Sequence, residues 1–255
     1  MTSRIRVARR RGVDHVWLAS IENRNALSLQ MMSELIEVAA TSAADPGSRA
    51  LIIDHDGPAF CAGIDVVERR SMGGVEPNHS TLFAELLRRL WHHPKPLITR
   101  VAGAVRGGGM GIVACADIAI ATNDARFAFS EVRLGIVPAL VGGLAVEKLG
   151  AAGLTPWLLT GEVFDGRAAL RNGFVNQLAA DDGAAELEAV IESIVSAAPG
   201  AVAWTKSLLR GFAGSDIDRM LEEMTAVSAA SFDSVEGHEG MRAFAEKRSP
   251  SWVEQ

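Results

Sequence analysis

The segment Ala59-Phe60-Cys61-Ala62-Gly63-Ile64-Asp65 is followed further along the chain by the glycine-rich segment Gly107-Gly108-Gly109-Met110-Gly111. Glycine has no side chain and therefore lets the backbone come close to a ligand. The second segment opens an apolar helix predicted over residues 110–116, and a helix N-terminus favours negative charge. Together the two segments can offer backbone N–H groups to a single oxygen atom.

Two familiar glycine-rich phosphate loops do not fit this spacing. A G-x-G-x-x-G loop beginning at Gly107 would need glycine at position 112, where the chain has Ile112. A P-loop would end in Gly-Lys-Ser or Gly-Lys-Thr, which is absent. Close packing of a helix against a strand remains an alternative explanation for these glycines.

The composition is that of one large globular domain. The 255 residues are 48% hydrophobic and 22% charged, which suffices for a substantial core. The net charge of −6 comes without acidic blocks or a basic stripe, so we expect no nucleic-acid partner. Cys61 and Cys115 lie at neither metal-ligand nor redox spacing, which fits a reducing cytoplasm. We expect no signal segment, because the N-terminal residues already belong to predicted strands and leave no apolar signal core. We expect no membrane span, because the apolar stretch 111–121 is short and contains Asp117.

Hydrophobic periodicity predicts an α/β order of elements. Strands are predicted over residues 4–8, 15–20, 50–54, 97–101 and 118–121, and helices over 27–40, 82–91 and 110–116. From Val141 onward strand signals fade, and helices are predicted near 151–159, 166–172, 184–196, 202–209 and 217–231. Residues 71–79 are predicted to form a surface loop, placed to act as a lid.

Further segments complete a pattern with the two glycine segments. They are Asn23-Arg24-Asn25-Ala26-Leu27, Asp117-Ile118-Ala119 and Phe129-Ser130-Glu131-Val132-Arg133-Leu134-Gly135-Ile136-Val137-Pro138. In this order the set resembles the crotonase family, the enoyl-CoA hydratase/isomerase group. The resemblance extends to residues 239–248 and covers essentially the whole chain, which makes it more specific than any single motif.

The resemblance implies an α/β fold of the crotonase type, with a spiral core of ββα units and a C-terminal helical trimerisation region. Residues 1–195 would form the catalytic core and 196–255 the oligomerisation region of one continuous unit. We expect an acyl-CoA thioester as substrate and a homotrimer or hexamer as the assembly. Coenzyme A would enter as part of the substrate, and no permanently bound cofactor, metal or membrane partner is expected.

The resemblance also assigns an oxyanion hole to the backbone N–H groups of Ile64 and Gly108. A thioester carbonyl gains negative charge as an enolate forms, and losing one preorganised donor typically raises the barrier by roughly 3–4 kcal/mol. Because the donors are main-chain groups, the side chain at position 64 can be isoleucine. Asp65 is expected to fix the local turn by hydrogen bonds to the backbone.

Hydratases of this family commonly carry two glutamates, of which the chain has one. Glu131 matches the later of the two. Burial beside Phe127, Phe129 and Leu134 would raise its pKa and make it a proton carrier near neutral pH. The earlier glutamate would fall at Gly111, which we count among the substrate-binding positions.

A single carboxylate restricts the reaction without selecting it. Moving a double bond from Δ3 to Δ2 needs one base, whereas hydration with Glu131 alone requires this residue to relay the water's own proton. Residues 125–135 look like bacterial members assigned as hydratases of branched or glutaconyl-type CoA esters, several of which have glycine at the helix position. We therefore predict an enoyl-CoA hydratase, with an isomerase or a non-catalytic acyl-CoA-binding protein as the alternatives.

By the same resemblance, several residues would hold coenzyme A, whose phosphates and adenine need cations and a flat apolar surface. Phe244 and Lys247 on the last helix would reach the adenosine part, often in the neighbouring subunit's site. Arg24 would line the groove, and the backbone around Ala62 and Gly63 would receive the adenine.

Overall fold

Two β-sheets organise the fold in this computed structural model, which describes residues 2–71, 78–212 and 216–253. The strands are β1 (Ile5–Arg10), β2 (Val13–Leu18), β3 (Ala50–His55), β4 (Ala59–Cys61), β5 (Leu97–Val101), β6 (Ala104–Arg106), β7 (Ile118–Thr122), β8 (Arg126–Ala128), β9 (Phe164–Asp165) and β10 (Gln177–Ala179). The larger sheet has the order β1-β2-β3-β5-β7-β10 and the smaller one β4-β6-β8-β9. Neighbouring strands are parallel, except that β1 with β2 and β8 with β9 are antiparallel.

Helices cover both faces of the larger sheet. They are α1 (Leu29–Ala44), α2 (Val66–Ser71), α3 (Asn78–Trp91), α4 (Gly108–Cys115), α5 (Ala139–Leu149), α6 (Thr155–Thr160), α7 (Gly166–Arg171), α8 (Ala184–Ser196), α9 (Pro199–Phe212), α10 (Ile217–Phe232) and α11 (Val235–Glu246). Successive side chains of a strand point to opposite faces. In the fully buried strand β3, Leu51 and Ile53 therefore face the main core, whereas Ala50 and Ile52 face a second cluster that includes Leu187 of α8.

The order of strands and helices confirms the predicted α/β class, but the smaller sheet was not predicted. Its strands are two or three residues long, which is too short to produce a hydrophobic alternation. From Val141 onward only helices were predicted, and this is wrong for β9 and β10. Both take their place by pairing with strands distant in sequence, β8 and β7 respectively, and local sequence carries no signal of such pairing.

The predicted lid and the predicted domain boundary both lie close to helix ends. Of residues 71–79, Ser71 ends α2 and α3 begins at Asn78, while residues 72–77 lie outside the described residues. The boundary between residues 195 and 196 falls in the last turn of α8. Beyond it, α10 packs against α3 and α5, and α11 packs against the turn Ser130–Leu134. The C-terminal helices therefore contact the core of their own chain.

A partly buried charge cluster fastens α9 to the main core. The carboxylate of Asp117 accepts a hydrogen bond from the Leu97 backbone at 2.7 Å and pairs with Lys206 at 2.6 Å and Arg210 at 3.0 Å. The Arg210 guanidinium also lies 3.7 Å above the ring centre of Trp91. One carboxylate thus links the end of α4, the start of β5 and two cations of α9.

We predict that Asp117→Ala lowers the free energy of unfolding by roughly 2–4 kcal/mol, because it leaves Lys206 buried without its counter-charge. Urea denaturation followed by circular dichroism measures the change. Asp124→Ala is the matched control, since Asp124 is exposed, and we expect a change within about 0.5 kcal/mol there. Equal effects of the two substitutions would contradict this role of Asp117.

Candidate active site

Three adjacent strands of the smaller sheet end at the same edge. Strands β4, β6 and β8 are parallel neighbours in that order, so their carboxyl ends lie side by side. Immediately after these ends the chain reaches Ile64, Gly108 and Glu131 in turn. In parallel sheets such an edge is the usual place for a ligand. The topology therefore brings the two predicted backbone donors and the predicted proton carrier together.

The direction of the Ile64 N–H group is set by a backbone pairing. Leu27 donates its N–H to the Gly63 carbonyl at 2.7 Å and accepts from the Asp65 N–H at 3.1 Å, which makes Leu27 and Ile64 a parallel bridge. In such a bridge the bonds go to the neighbours of Ile64. The N–H of Ile64 itself therefore points away from Leu27.

The second donor begins helix α4. Gly108 is the first residue of this helix, so its N–H has no acceptor within the helix. Gly107 before it has φ 47° and ψ −118°, a conformation that favours glycine. A β-carbon on Gly63 would lie 3.5 Å from the Gly108 nitrogen, which shows how closely the two donor segments approach.

Glu131 lies in the single turn Ser130–Leu134 and directs its carboxylate towards this edge. A β-carbon on Gly107 would lie only 3.4 Å from its Oε1. Oε2 is shielded from solvent and has no hydrogen-bond partner. Burial raises the pKa of Glu131 to about 7, and its own backbone N–H opposes this shift. The group can therefore bind or release a proton near neutral pH.

A cavity of about 720 Å³ is lined by Ile64, Gly108 and Glu131. One part of its wall is exposed and carries Arg24 and Ala62, while another is buried and apolar. The buried part is formed by Phe83, Ile136, Leu140, Val141 and Phe232. The Arg24 guanidinium makes no hydrogen bond or ion pair to the described residues and faces solvent. This arrangement suits a ligand with one charged end and one apolar end.

Eight of the ten residues predicted for the site line this cavity. They are Arg24, Ala62, Gly63, Ile64, Asp65, Gly108, Glu131 and Phe244. Asp65 accepts hydrogen bonds from the N–H groups of Val67 and Glu68, so its carboxylate caps α2. Phe244 is 60% exposed and lines the cavity of its own chain.

Gly111 and Lys247 are the two predicted residues that the structure does not bring to the cavity wall. Lys247 ends α11 and is exposed. Gly111 is buried one turn inside α4, where a β-carbon would meet Leu87 at 3.0 Å, Val141 at 3.1 Å and Phe83 at 3.2 Å. Apolar side chains therefore occupy the room that a side chain at position 111 would need.

Comparison with known proteins identifies the family of the chain. A family model described as enoyl-CoA hydratase/isomerase matches residues 8–255. The chain belongs to this family. A Thermus thermophilus protein provisionally named an enoyl-CoA hydratase is 34% identical to it over 240 residues, which cover 92% of this chain and 95% of that protein.

Solved structures of the enoyl-CoA hydratase/isomerase family share the fold. An enoyl-CoA hydratase from Mycobacterium avium is 33% identical, with a TM-score of 0.88 over 99% of this chain and 100% of that one. An enoyl-CoA hydratase/isomerase from Pseudoalteromonas atlantica is 26% identical, with a TM-score of 0.87 over 98% and 100%. The predicted crotonase-type fold is thereby confirmed.

The sequence did not predict the residues that support the site and line its cavity. Asn25 is buried and donates to the carbonyls of Asp56 and Ala59, which holds the segment leading to Leu27. Phe83 and Phe232 form part of the apolar cavity wall. Asn25 lies in the motif Asn23–Leu27 and could have been predicted from it. An apolar residue on a helix, by contrast, cannot be distinguished by sequence from any other core residue.

Two further properties concern the described part of the chain. There, no group of three or more His, Cys, Asp or Glu side chains could hold a metal ion. No single helix is long and apolar enough to cross a membrane. The helices 184–196 and 199–211 together reach the length and apolar composition of a membrane span, but a bend of 109° separates them.

The raised pKa of Glu131 has a cost in stability. Between the ordinary pKa of glutamate and about 7, the unfolded chain loses a proton that the folded chain keeps, so stability falls as pH rises through this window. We predict that Glu131→Gln, which has no charge to bury, is more stable than the wild type by up to about 3 kcal/mol at pH 8. At pH 4 the two should be nearly equal.

Urea denaturation at both pH values checks this prediction, with the exposed Glu162→Gln as the control. If the advantage of Glu131→Gln is the same at pH 4 and pH 8, Glu131 does not carry a raised pKa.

Proposed function

We propose that this protein adds water to a 2-enoyl-CoA thioester. The observation that carries the proposal is the buried carboxylate of Glu131, whose Oε2 has no hydrogen-bond partner and which shares a cavity with the backbone donors Ile64 and Gly108. Membership of the enoyl-CoA hydratase/isomerase family supports acyl-CoA chemistry, and the names of relatives support hydration.

The steps follow from these three groups. The thioester oxygen accepts hydrogen bonds from the N–H groups of Ile64 and Gly108, and the acyl chain enters the apolar end of the cavity. Glu131, ionised, takes a proton from water as the water oxygen bonds to C3, and the π electrons move through C2 to make an enolate. The two N–H donors stabilise the enolate oxygen. Glu131 then returns the proton to C2, so that one water molecule has been added.

The charged end of the substrate would lie at the exposed end of the cavity. Arg24 supplies a cation there, which suits the phosphates of coenzyme A. Phe244 presents an aromatic surface beside it. In this proposal no permanently bound cofactor takes part, and coenzyme A comes and goes with the substrate.

A Δ3–Δ2 enoyl-CoA isomerase is the second candidate, and the surroundings of Gly111 favour it. Leu87, Val141 and Phe83 fill the room around this position. Among the described residues that line the cavity, the other carboxylates are engaged: Glu22 pairs with Arg4 and Asp65 caps α2. Glu131 would then act alone, moving a proton from C2 to C4.

We predict that the purified protein, given panels of 2-enoyl-CoA and 3-enoyl-CoA substrates, removes the absorbance of the conjugated thioester from the first panel. A gain of this absorbance from the second panel would identify an isomerase instead. Tight binding without either signal would contradict the enzyme proposal and indicate a non-catalytic acyl-CoA-binding protein.

Glu131 should also govern the pH dependence of the same reaction. Because the base must be ionised, we expect kcat/KM to rise with pH and level off above about 7. Glu131→Gln should lower the rate by roughly 10²–10⁴-fold, whereas the exposed Glu162→Gln should leave it unchanged. A pH profile that survives in Glu131→Gln would rule out this role of Glu131.

We further propose that the chain assembles as a homotrimer or hexamer through a surface that includes α9. Trp204 is 78% exposed and Leu208 is 58% exposed, and the two are one helical turn apart. Adjacent exposed apolar side chains of this size are typical of contact surfaces.

We predict that the double substitution Trp204→Asp and Leu208→Asp lowers the mass measured by light scattering after size exclusion. Ser193→Asp on the exposed side of α8 is the control, and an unchanged mass in the double variant would exclude α9 from the assembly.

A further inference from the structure

Helix α11 meets the turn that carries Glu131 through a contact between main chains. A β-carbon on Gly240 would lie 2.1 Å from the Leu134 carbonyl oxygen, which is far closer than two such atoms can approach. On the other side, Gly135 has φ 66°, and a β-carbon there would lie 2.5 Å from the Glu236 carbonyl oxygen. Both positions therefore need glycine, and the helix lies directly against the backbone of the turn.

This contact lies a few residues along the chain from Glu131 and is linked to it by a backbone hydrogen bond. Leu134 and Gly135 end the turn Ser130–Leu134, and the carbonyl of Glu131 accepts the N–H of Ile136 at 3.0 Å. The next residue, Val137, donates its N–H to the hydroxyl of Ser231 on α10 at 2.9 Å. The last two helices thus hold the end of the turn at two points.

The same helix reaches the cavity. Phe244 follows Gly240 by four residues and so lies one turn further along one face of α11. Gly240 contacts the turn of Glu131, and Phe244 lines the cavity that Glu131 faces. One rigid helix therefore connects the cavity wall with the backbone that carries the carboxylate.

We propose that Gly240 and Ser231 are positioning residues for Glu131, and that α11 holds this carboxylate in its shielded location beside the oxyanion donors. The proposal rests on the proposed function for its kinetic consequences alone. Its structural part concerns where the carboxylate lies and whether water reaches it.

The charged side chains near Glu131 are exposed or paired with other groups. Arg133 on the same turn donates to the carbonyls of Thr160 and Gly161, and Arg106 before α4 donates to those of Val105 and Arg126. On α11, Glu236 is exposed and Glu239 pairs with Arg242 and Arg248. Shielding from water is therefore the property that a displaced turn would change.

The first test is Gly240→Ala in the full-length protein, with Ser193→Ala as the control. Ser193 is exposed on α8, away from the turn, the cavity and the proposed assembly surface. In Gly240→Ala the turn must move, and misplacement of about 1 Å costs up to roughly 10²-fold in rate. We expect kcat to fall at least about tenfold with a smaller change in KM, and the midpoint of the pH profile to move below that of the wild type as water reaches Glu131. Ser193→Ala should change neither.

A second measurement needs no turnover. The pH titration of Glu131 is followed by NMR in protein labelled with ¹³C at the glutamate side-chain carboxyl, and Glu131→Gln identifies its signal. We expect a midpoint near 7 in the wild type and in Ser193→Ala, and a lower one in Gly240→Ala. If the wild type turns over no enoyl-CoA, the proposed function fails, but this titration still tests the positioning.

A third comparison applies if Gly240→Ala does not fold. Ser231→Ala removes the hydroxyl that accepts from Val137, whereas Ser231→Thr keeps it. We expect Ser231→Ala to lower the Glu131 midpoint and Ser231→Thr to restore it. Variants that lose thermal stability but keep the wild-type midpoint and kcat would overturn the proposal, as would equal behaviour of the Ala and Thr variants.

Discussion

The carboxyl edge of the small sheet is the constraint on which the site depends. Strands β4, β6 and β8 are only three residues each, yet their parallel order fixes where the chain emerges three times in succession. The middle exit begins α4 and supplies the Gly108 donor, and the outer two supply Ile64 and Glu131. Each group lies far from the others in sequence. Strand pairing brings the three segments to one edge, and the contacts around each segment then orient its group.

The donors and the carboxylate are held by different kinds of support. Ile64 is oriented by a backbone bridge to Leu27, and Gly108 by the first turn of α4 against β4. Neither depends on a side chain that could change its protonation. Glu131, in contrast, owes its raised pKa to burial, so its chemistry depends on how tightly its turn is enclosed. The site therefore combines a fixed pair of dipoles with one group that is sensitive to packing.

The sequence grouped Gly63, Gly108 and Glu131 into one predicted site, because motifs with fixed order and spacing carry them, and the structure brings the three to one cavity. It also predicted the long strands and helices, because hydrophobic periodicity gives a strong signal when it extends over many residues. It missed the small sheet, because a strand such as Phe164–Asp165 exists only through its partner. It also placed Gly111 at the substrate, whereas the walls of the cavity are formed by residues such as Phe232, which is more than one hundred positions away. Walls of this kind are determined by tertiary packing, which no local pattern records.

The crowding around Gly111 also limits how this chain can acquire new chemistry. The first carbon of a side chain at that position would lie 3.0–3.2 Å from Leu87, Val141 and Phe83, so the ends of these side chains would have to move by a few tenths of an ångström. Clearing the room first, for example by shortening Leu87, leaves a void in the core that costs roughly 2–5 kcal/mol. The packing of these three side chains therefore determines whether a second carboxylate can be added in one substitution or only after the core has been weakened.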